Sequence, residues 1–431
     1  MSLLPKKSVI TNTQNMSSTI AVKPLKGQER KEILDFLRGI ALLGILLVNM
    51  AYFNAPFLAQ ISTDFALWDD LPNTVFKWIN WLFLEGKFYP MFSMLFGLGF
   101  YFFLKKADNS LDPVVFTYRI RLMYLLFFGI LHVGLLWNGD ILILYALSGF
   151  VMTWFKKSSD KTILIWAIVF ILLPVVLIAG LVGLIRFAML IPEAADEIAA
   201  AFEMQDEILD QMTEKALIVY STGSFAEIFR IRLQEYAFIL NNLLFMIPAI
   251  VSLFLVGIYL GRKKIFQDID HGVKVMRKIF FWCLPAGLLL SLGYAYYMHA
   301  GYFQITNWEY VVILAGVFIG GPAMTFVYLY LIMLLYQKGF FRRITGFISK
   351  AGRMAFTNYL TQSIICTTIF YSYGLGLYGK VNIWQGFLLA IAIYIIQVTW
   401  SHYWLKHYNF GPFEWLWRSM TYRKWQPMKR T

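Results

Sequence analysis

Asp35 and Arg38 open a mostly apolar run, LDFLRGIALLGILLVN, long enough to enter a bilayer. A charged side chain at that depth costs a few kcal/mol, so it needs a partner or a site. Asn49 lies eleven residues beyond Arg38, about 20° past three helical turns, and so shares its face. His132 lies eleven residues beyond Arg121 in another apolar run, and the turn Trp137-Asn138-Gly139-Asp140 follows it. The segment LEGKFYPMFS brings Glu85 and Lys87 to the same end of its own run. An imidazole, two carboxylates, an ammonium and amides at comparable depth suit proton transfer. His132 would take a proton from an acceptor hydroxyl or amine, Asp140 or Glu85 would fix its tautomer, and Asn49 or Asn138 would steady an oxyanion. A bland reading stands beside this one: a membrane His often only ties helices together, and Glu85 and Lys87 also suit a surface turn.

At the opposite mouth the chain gathers Asp35, Arg38, Arg119, Arg121, Arg353, Asn358 and Gln362. Asn358 and Gln362 are four apart and share a helix face. Planar guanidinium forks bind phosphate oxygens in pairs, so a phosphorylated or nucleotide-bearing donor would fit there. The competing account pairs Asp35 with Arg38 and leaves Arg119 and Arg121 to set topology.

These residues need helices to carry them. The 431-residue chain is 59% hydrophobic and 18% aromatic, with 15% charged residues, which points to an all-α polytopic membrane protein. Ten spans are expected at about 35–55, 86–104, 119–137, 140–155, 162–186, 237–260, 279–298, 309–335, 352–373 and 384–404. Lys and Arg fall in alternate connections, so the net charge of +13 reads as a topology signal and not as a nucleic-acid surface. Both termini are then expected in the cytoplasm of a bacterial cell, with the chain in the inner membrane. Residues 1–30 are a polar tail without a signal-peptide core. The two five-span halves, 31–186 and 237–405, flank an extracytoplasmic segment, 187–236. From Glu193 to Glu214 that segment carries eight acidic and no basic residues at helical spacing, so it is a solvated cover or a lid. Residues 406–431 hold Glu414 and Arg418 at i,i+4, with Trp415, Trp417 and Trp425. They describe an interfacial helix, or a wall of the inner mouth.

Cys283 and Cys366 sit in apolar runs and read as small hydrophobes. No metal-ligand spacing, Gly-rich phosphate loop or Ser-His-Asp spacing is visible, and no metal is expected.

RKEILDFLRGIALLGILLVNM, EGKFYPMFSMLFGLGF, RIRLMYLLFFGILHVGLLWNGDILILYALSGF, GRMAFTNYLTQSIICTTIFYSYGLGLYG and NFGPFEWLWRSMTYRKWQP together resemble the YeiB family of bacterial membrane proteins over about residues 30–427. The resemblance implies membership of a wider transmembrane acyltransferase superfamily. Its members share about ten or more helices, often use acetyl-CoA from the cytoplasm, and acylate an acceptor across the membrane. Their first span carries a similar Leu-Asp-x-Leu-Arg-Gly motif, matched by Leu34, Asp35, Leu37, Arg38 and Gly39. Where the polysaccharide-acylating members end that span in a functional His, this chain has Asn49, so either His132 supplies the base or this branch does not transfer acyl groups. The implied donor is acetyl-CoA or another acyl-CoA, and the implied acceptor a small molecule, glycan or lipid. Membrane lipid is the surrounding partner, and a homo-oligomer stays open. An exporter of a small amphipathic molecule and a non-catalytic lipid-binding protein are the competing functions.

Overall fold

The computed structural model describes residues 32–60, 67–105, 111–302, 304–340 and 342–430. The polar tail lies outside them. The described residues form fifteen α-helices: α1 Glu32–Asn54, α2 Leu71–Ile79, α3 Phe88–Leu104, α4 Leu111–Leu135, α5 Leu142–Met152, α6 Asp160–Ala188, α7 Pro192–Thr222, α8 Phe225–Arg262, α9 Ile269–Ala300, α10 Trp308–Ala315, α11 Gly321–Gln337, α12 Thr345–Arg353, α13 Ala355–Phe370, α14 Ile383–His407 and α15 Pro412–Tyr422. No strand occurs among them beyond a single bridge between Tyr408 and Lys429. In hydrocarbon every backbone polar group must be met internally, and helices do that within one segment. The chain is an all-α polytopic membrane protein.

Among the described residues, eight helical segments are long and apolar enough to cross a bilayer: 32–54, 71–104, 111–135, 160–188, 245–262, 269–300, 308–337 and 383–407. The spans expected at 140–155 and 352–373 appear as the short helices α5 and α13, of 11 and 16 residues. Both sit among longer helices and carry or flank the residues discussed below. Shortness at depth needs packing on all sides, and ten of the sixteen α13 residues are buried, Asn358, Gln362, Ser363 and Cys366 among them. Cys283, by contrast, is only half-buried.

Local chemistry sets the helix ends. Ser224 and Glu227 close a capping box at the start of α8, and Asn382 with Gln385 does the same for α14. Gly301 ends α9 in the left-handed conformation, at φ 77°. Close crossings rest on glycine. A Cβ at Gly352 would stand 1.8 Å from the Asp35 carbonyl oxygen, so α12 lies directly on α1. A Cβ at Gly97 would meet the Phe254 carbonyl at 2.0 Å, which presses α3 onto α8.

The acidic stretch is helical throughout α7. Its far end is docked: Tyr220 packs on the rings of Tyr371 and Tyr378 at 4.6 and 4.9 Å.

Candidate active site

His132 occupies the last turn of α4, and the loop after it is short and rigid. The amides of Leu136 and Trp137 both reach back to the His132 carbonyl at 2.9 Å. Trp137 is buried and stacks on Phe53 at 4.0 Å. The loop then delivers Asp140 to the start of α5, where its Oδ1 accepts from the Ile143 amide at 2.8 Å. Gly129 admits this arrangement, since a Cβ there would stand 2.8 Å from the Ile143 amide nitrogen.

With Oδ1 anchored, Oδ2 of Asp140 lies 2.9 Å from His132 Nδ1. The approach is close but off the line of a well-formed hydrogen bond. On the other side of the ring, Nε2 is 2.8 Å from Ser363 Oγ on α13. The exposures of His132, Asp140 and Ser363 are 1%, 8% and 1%. With Nδ1–H turned toward this carboxylate, Nε2 is left to accept from the Ser363 hydroxyl. The order of contacts is serine, imidazole, carboxylate. No Ser-His-Asp spacing is visible in the sequence because Ser363 and His132 are 231 residues apart and meet only where α13 packs beside α4. The only local signal was a serine on the same helix as Asn358 and Gln362.

Of the residues expected around His132, the structure brings Asp140 to it and places the others elsewhere. Glu85 Oε1 accepts from Tyr52 Oη at 2.7 Å and Oε2 from Asn80 at 3.1 Å. Lys87 is buried, donates to the Trp81 carbonyl at 2.7 Å, and lies 5.6 Å from the Tyr294 ring centre. A π-helical turn over Asn80–Leu84 directs this pair toward α1 and α9. Asn49 is half-buried and makes no hydrogen bond to the triad among the described residues. Asn138 instead donates to Glu235 at 2.8 Å.

Glu235 and Arg232 were not singled out by sequence. Both sit on α8 and are fully buried. Arg232 donates to the Gly134 carbonyl at 2.8 Å, and Tyr220 on α7 donates to Glu235 at 2.6 Å. The loop from Gly134 to Asn138 is therefore gripped at both ends by one charged pair three residues apart.

Among the residues expected at the opposite mouth, Arg38 pairs with Asp35 at 2.7 Å. Arg353 donates to the Asn409 carbonyl at 2.7 Å. Asn358 donates to Ser401 and Gln362 to Gln397, both at 3.0 Å, so these two amides tie α13 to α14. Arg121 lies 3.8 Å from the Trp417 ring centre, and Trp417 donates to the Arg121 carbonyl. The C-terminal helix thus packs against α4 and α13, the two helices that carry His132 and Ser363. Glu414 on α15 accepts from the amides of Phe356 and Thr357 at 2.8 and 3.0 Å.

Residues 260–424 match the family described as "Protein of unknown function (DUF418)". The chain is 34% identical to the "Uncharacterized protein YxaH" of Bacillus subtilis (strain 168), over 95% of this chain and 98% of that protein. It is 28% identical to the "Uncharacterized protein YeiB" of Escherichia coli (strain K12), over 92% of this chain and 97% of that protein. A protein of Bacillus acidopullulyticus, the "Uncharacterized 39.9 kDa protein in amylase 3'region", is 27% identical over 94% and 97%. No solved structure matches. The five sequence motifs, the all-helical membrane fold and the end-to-end match with these bacterial relatives agree: the chain belongs to the YeiB family.

Proposed function

We propose that this protein is a membrane-embedded acyltransferase, moving an acyl group from a donor of the acyl-CoA class at the arginine-rich mouth to a hydroxyl or amine acceptor at the other end. The observation that carries this reading is the buried imidazole of His132, fixed by Asp140 on one side and facing a hydroxyl on the other. Three polar side chains held dry at depth are expensive unless they are used. Arg38, beside its partner Asp35, and Arg353 are the cations this reading assigns to the donor phosphates. Asn358 and Gln362 serve the site by joining α13 to α14.

The general base is His132. His132→Gln keeps a hydrogen-bonding side chain and removes basicity. With acetyl-CoA as donor and hydroxylamine as acceptor, the rate of enzyme-dependent hydroxamate formation should fall about 10²-fold or more, with coenzyme A affinity unchanged. Full turnover in His132→Gln refutes the assignment. Flux of a small amphipathic molecule into vesicles, with no chemical change, would favour export instead.

A further inference from the structure

We infer that Ser363 is the acyl-carrying nucleophile, so that transfer runs in two covalent steps; this rests on the acyltransferase reading. Of the serine and threonine hydroxyls on α13, Thr357 is taken by Glu414 at the helix start and three bond back to the preceding turn. Thr361 donates to the Asn358 carbonyl at 3.0 Å, Thr367 to Ile364 at 3.3 Å, and Thr368 to Ile364 at 2.7 Å. Bonding back to the preceding turn is the default for a hydroxyl on a membrane helix, because it needs no neighbour. Ser363 makes no such bond among the described residues. Its recorded partner is His132 Nε2, at 2.8 Å. That ring is held in turn by a carboxylate whose second oxygen is anchored to a backbone amide at 2.8 Å. This is the arrangement that activates a serine: base within reach, and base oriented by a third group.

Position supports the same role. Ser363 is eight residues from Ala355 and seven from Phe370. At 1.5 Å per residue it lies about 12 Å from one end of α13 and about 10 Å from the other. An ester there is midway along α13. Donor and acceptor then need not meet, because the serine receives from one and gives to the other.

In the first step Ser363 Oγ attacks the thioester carbonyl, and its proton passes to His132 Nε2. The carbon–sulfur bond breaks, and the thiolate leaves with that proton as free coenzyme A thiol. In the second step the acceptor hydroxyl or amine gives its proton to His132 and attacks the Ser363 ester. The carbon–oxygen bond to Ser363 breaks, and Oγ recovers the proton. No net proton or electron is gained.

The test is exchange. Full-length protein in detergent is given acetyl-CoA and isotopically labelled coenzyme A, without an acceptor. Wild type should move label into acetyl-CoA, and its Ser363 peptide should gain one acetyl group after acid quench. Ser363→Ala should lose exchange at least about 10³-fold. Ser363→Cys should keep the adduct as a thioester, and this second variant guards against a folding defect in the first. If Ser363→Ala still makes hydroxamate from acetyl-CoA and hydroxylamine at the wild-type rate, Ser363 is not the nucleophile and the acyltransferase reading stands by direct transfer. If wild type neither exchanges label nor makes hydroxamate with acetyl- or longer acyl-CoA, that reading falls, and the covalent step with it.

Discussion

Glu414 offers a test that needs no substrate. α13 begins at Ala355 without a local side-chain cap. The first amides of any helix lack partners, and here those of Phe356 and Thr357 are met from a distance by Glu414 Oε1 at 2.8 and 3.0 Å, while Oε2 takes the Thr357 hydroxyl. A carboxylate at a helix start also complements the dipole. Each bond to a charged group contributes about 1.5–3 kcal/mol gross, and taking the carboxylate out of water offsets part of that. Losing an ordinary cap costs about 0.5–2 kcal/mol. Glu414→Ala removes one cap and one side-chain bond together, so a loss of about 2–4 kcal/mol is expected. At roughly 2 °C per kcal/mol, thermal unfolding in detergent should shift down by about 4–8 °C. Glu414→Gln keeps a carbonyl for the two amides and should lose about half as much. A double-mutant cycle with Thr357→Val should show coupling above about 0.5 kcal/mol. An unchanged melting temperature with additive single effects would mean that α15 merely leans on α13.

Asp140→Asn keeps the acceptor for the Ile143 amide but turns an amide toward His132 Nδ1, favouring the wrong tautomer; hydroxamate formation should fall about 10²–10⁴-fold with little change in melting temperature, and a wild-type rate would remove Asp140 from the mechanism. Burial pushes the Glu235 carboxyl up from 4.5 to about 7, against the lowering effect of its hydrogen bonds to Tyr220 and Asn138. The folded state therefore holds that proton more tightly than the unfolded state, so its stabilisation is complete below pH ~4.5 and is lost as pH rises through about 7. Glu235→Gln copies the protonated form, and the stability gap between it and wild type should change by on the order of 3 kcal/mol over that window; a gap flat with pH contradicts the burial argument. Gly352→Ala drives a methyl into the Asp35 carbonyl and should cost about 3 kcal/mol or more, whereas Gly346→Ala, with nothing within 4 Å of the new Cβ, should gain at most about 1 kcal/mol. Equal effects of the two alanines on unfolding would refute the α1–α12 contact.

Composition made the helical membrane fold legible, because a chain this apolar must satisfy its backbone inside helices. The pairing of Asp35 with Arg38, and of His132 with Asp140, was legible for a related reason. Both are short-range, three and eight residues apart, so a helix face or a tight turn is enough to suggest them. Ser363 was not legible. A lone serine in a membrane helix has no periodic signature, and its approach to His132 depends on how two helices pack. Glu85 misled for the opposite reason. Its place at the end of its own apolar run suggested a depth comparable to that of His132, but after the π-helical turn at Asn80–Leu84 it bonds to Tyr52. Glu414 showed a second limit: i,i+4 spacing suggested Arg418 as its partner, whereas backbone amides of another helix bind it.

Arg232 and Glu235 explain how a loop can hold the triad in register. Buried charged groups rarely give net stability against apolar packing, because desolvation is costly. Here these two side chains do something that apolar ones cannot do. Arg232 holds the Gly134 carbonyl and Glu235 the Asn138 amide, so the chain between His132 and Asp140 is fixed at two points. Glu235 is also gripped by Tyr220, on the acidic helix α7. Movement of α7 would therefore reach the imidazole through one shared carboxylate, within a few bonds. At the other end, Glu414 fixes the start of the helix that presents Ser363. The serine and the histidine belong to separate helices, each held in place by an acid from a third. A site 231 residues wide in sequence can keep a 2.8 Å contact only if both sides are held independently, and the two clamps are placed where that requirement falls.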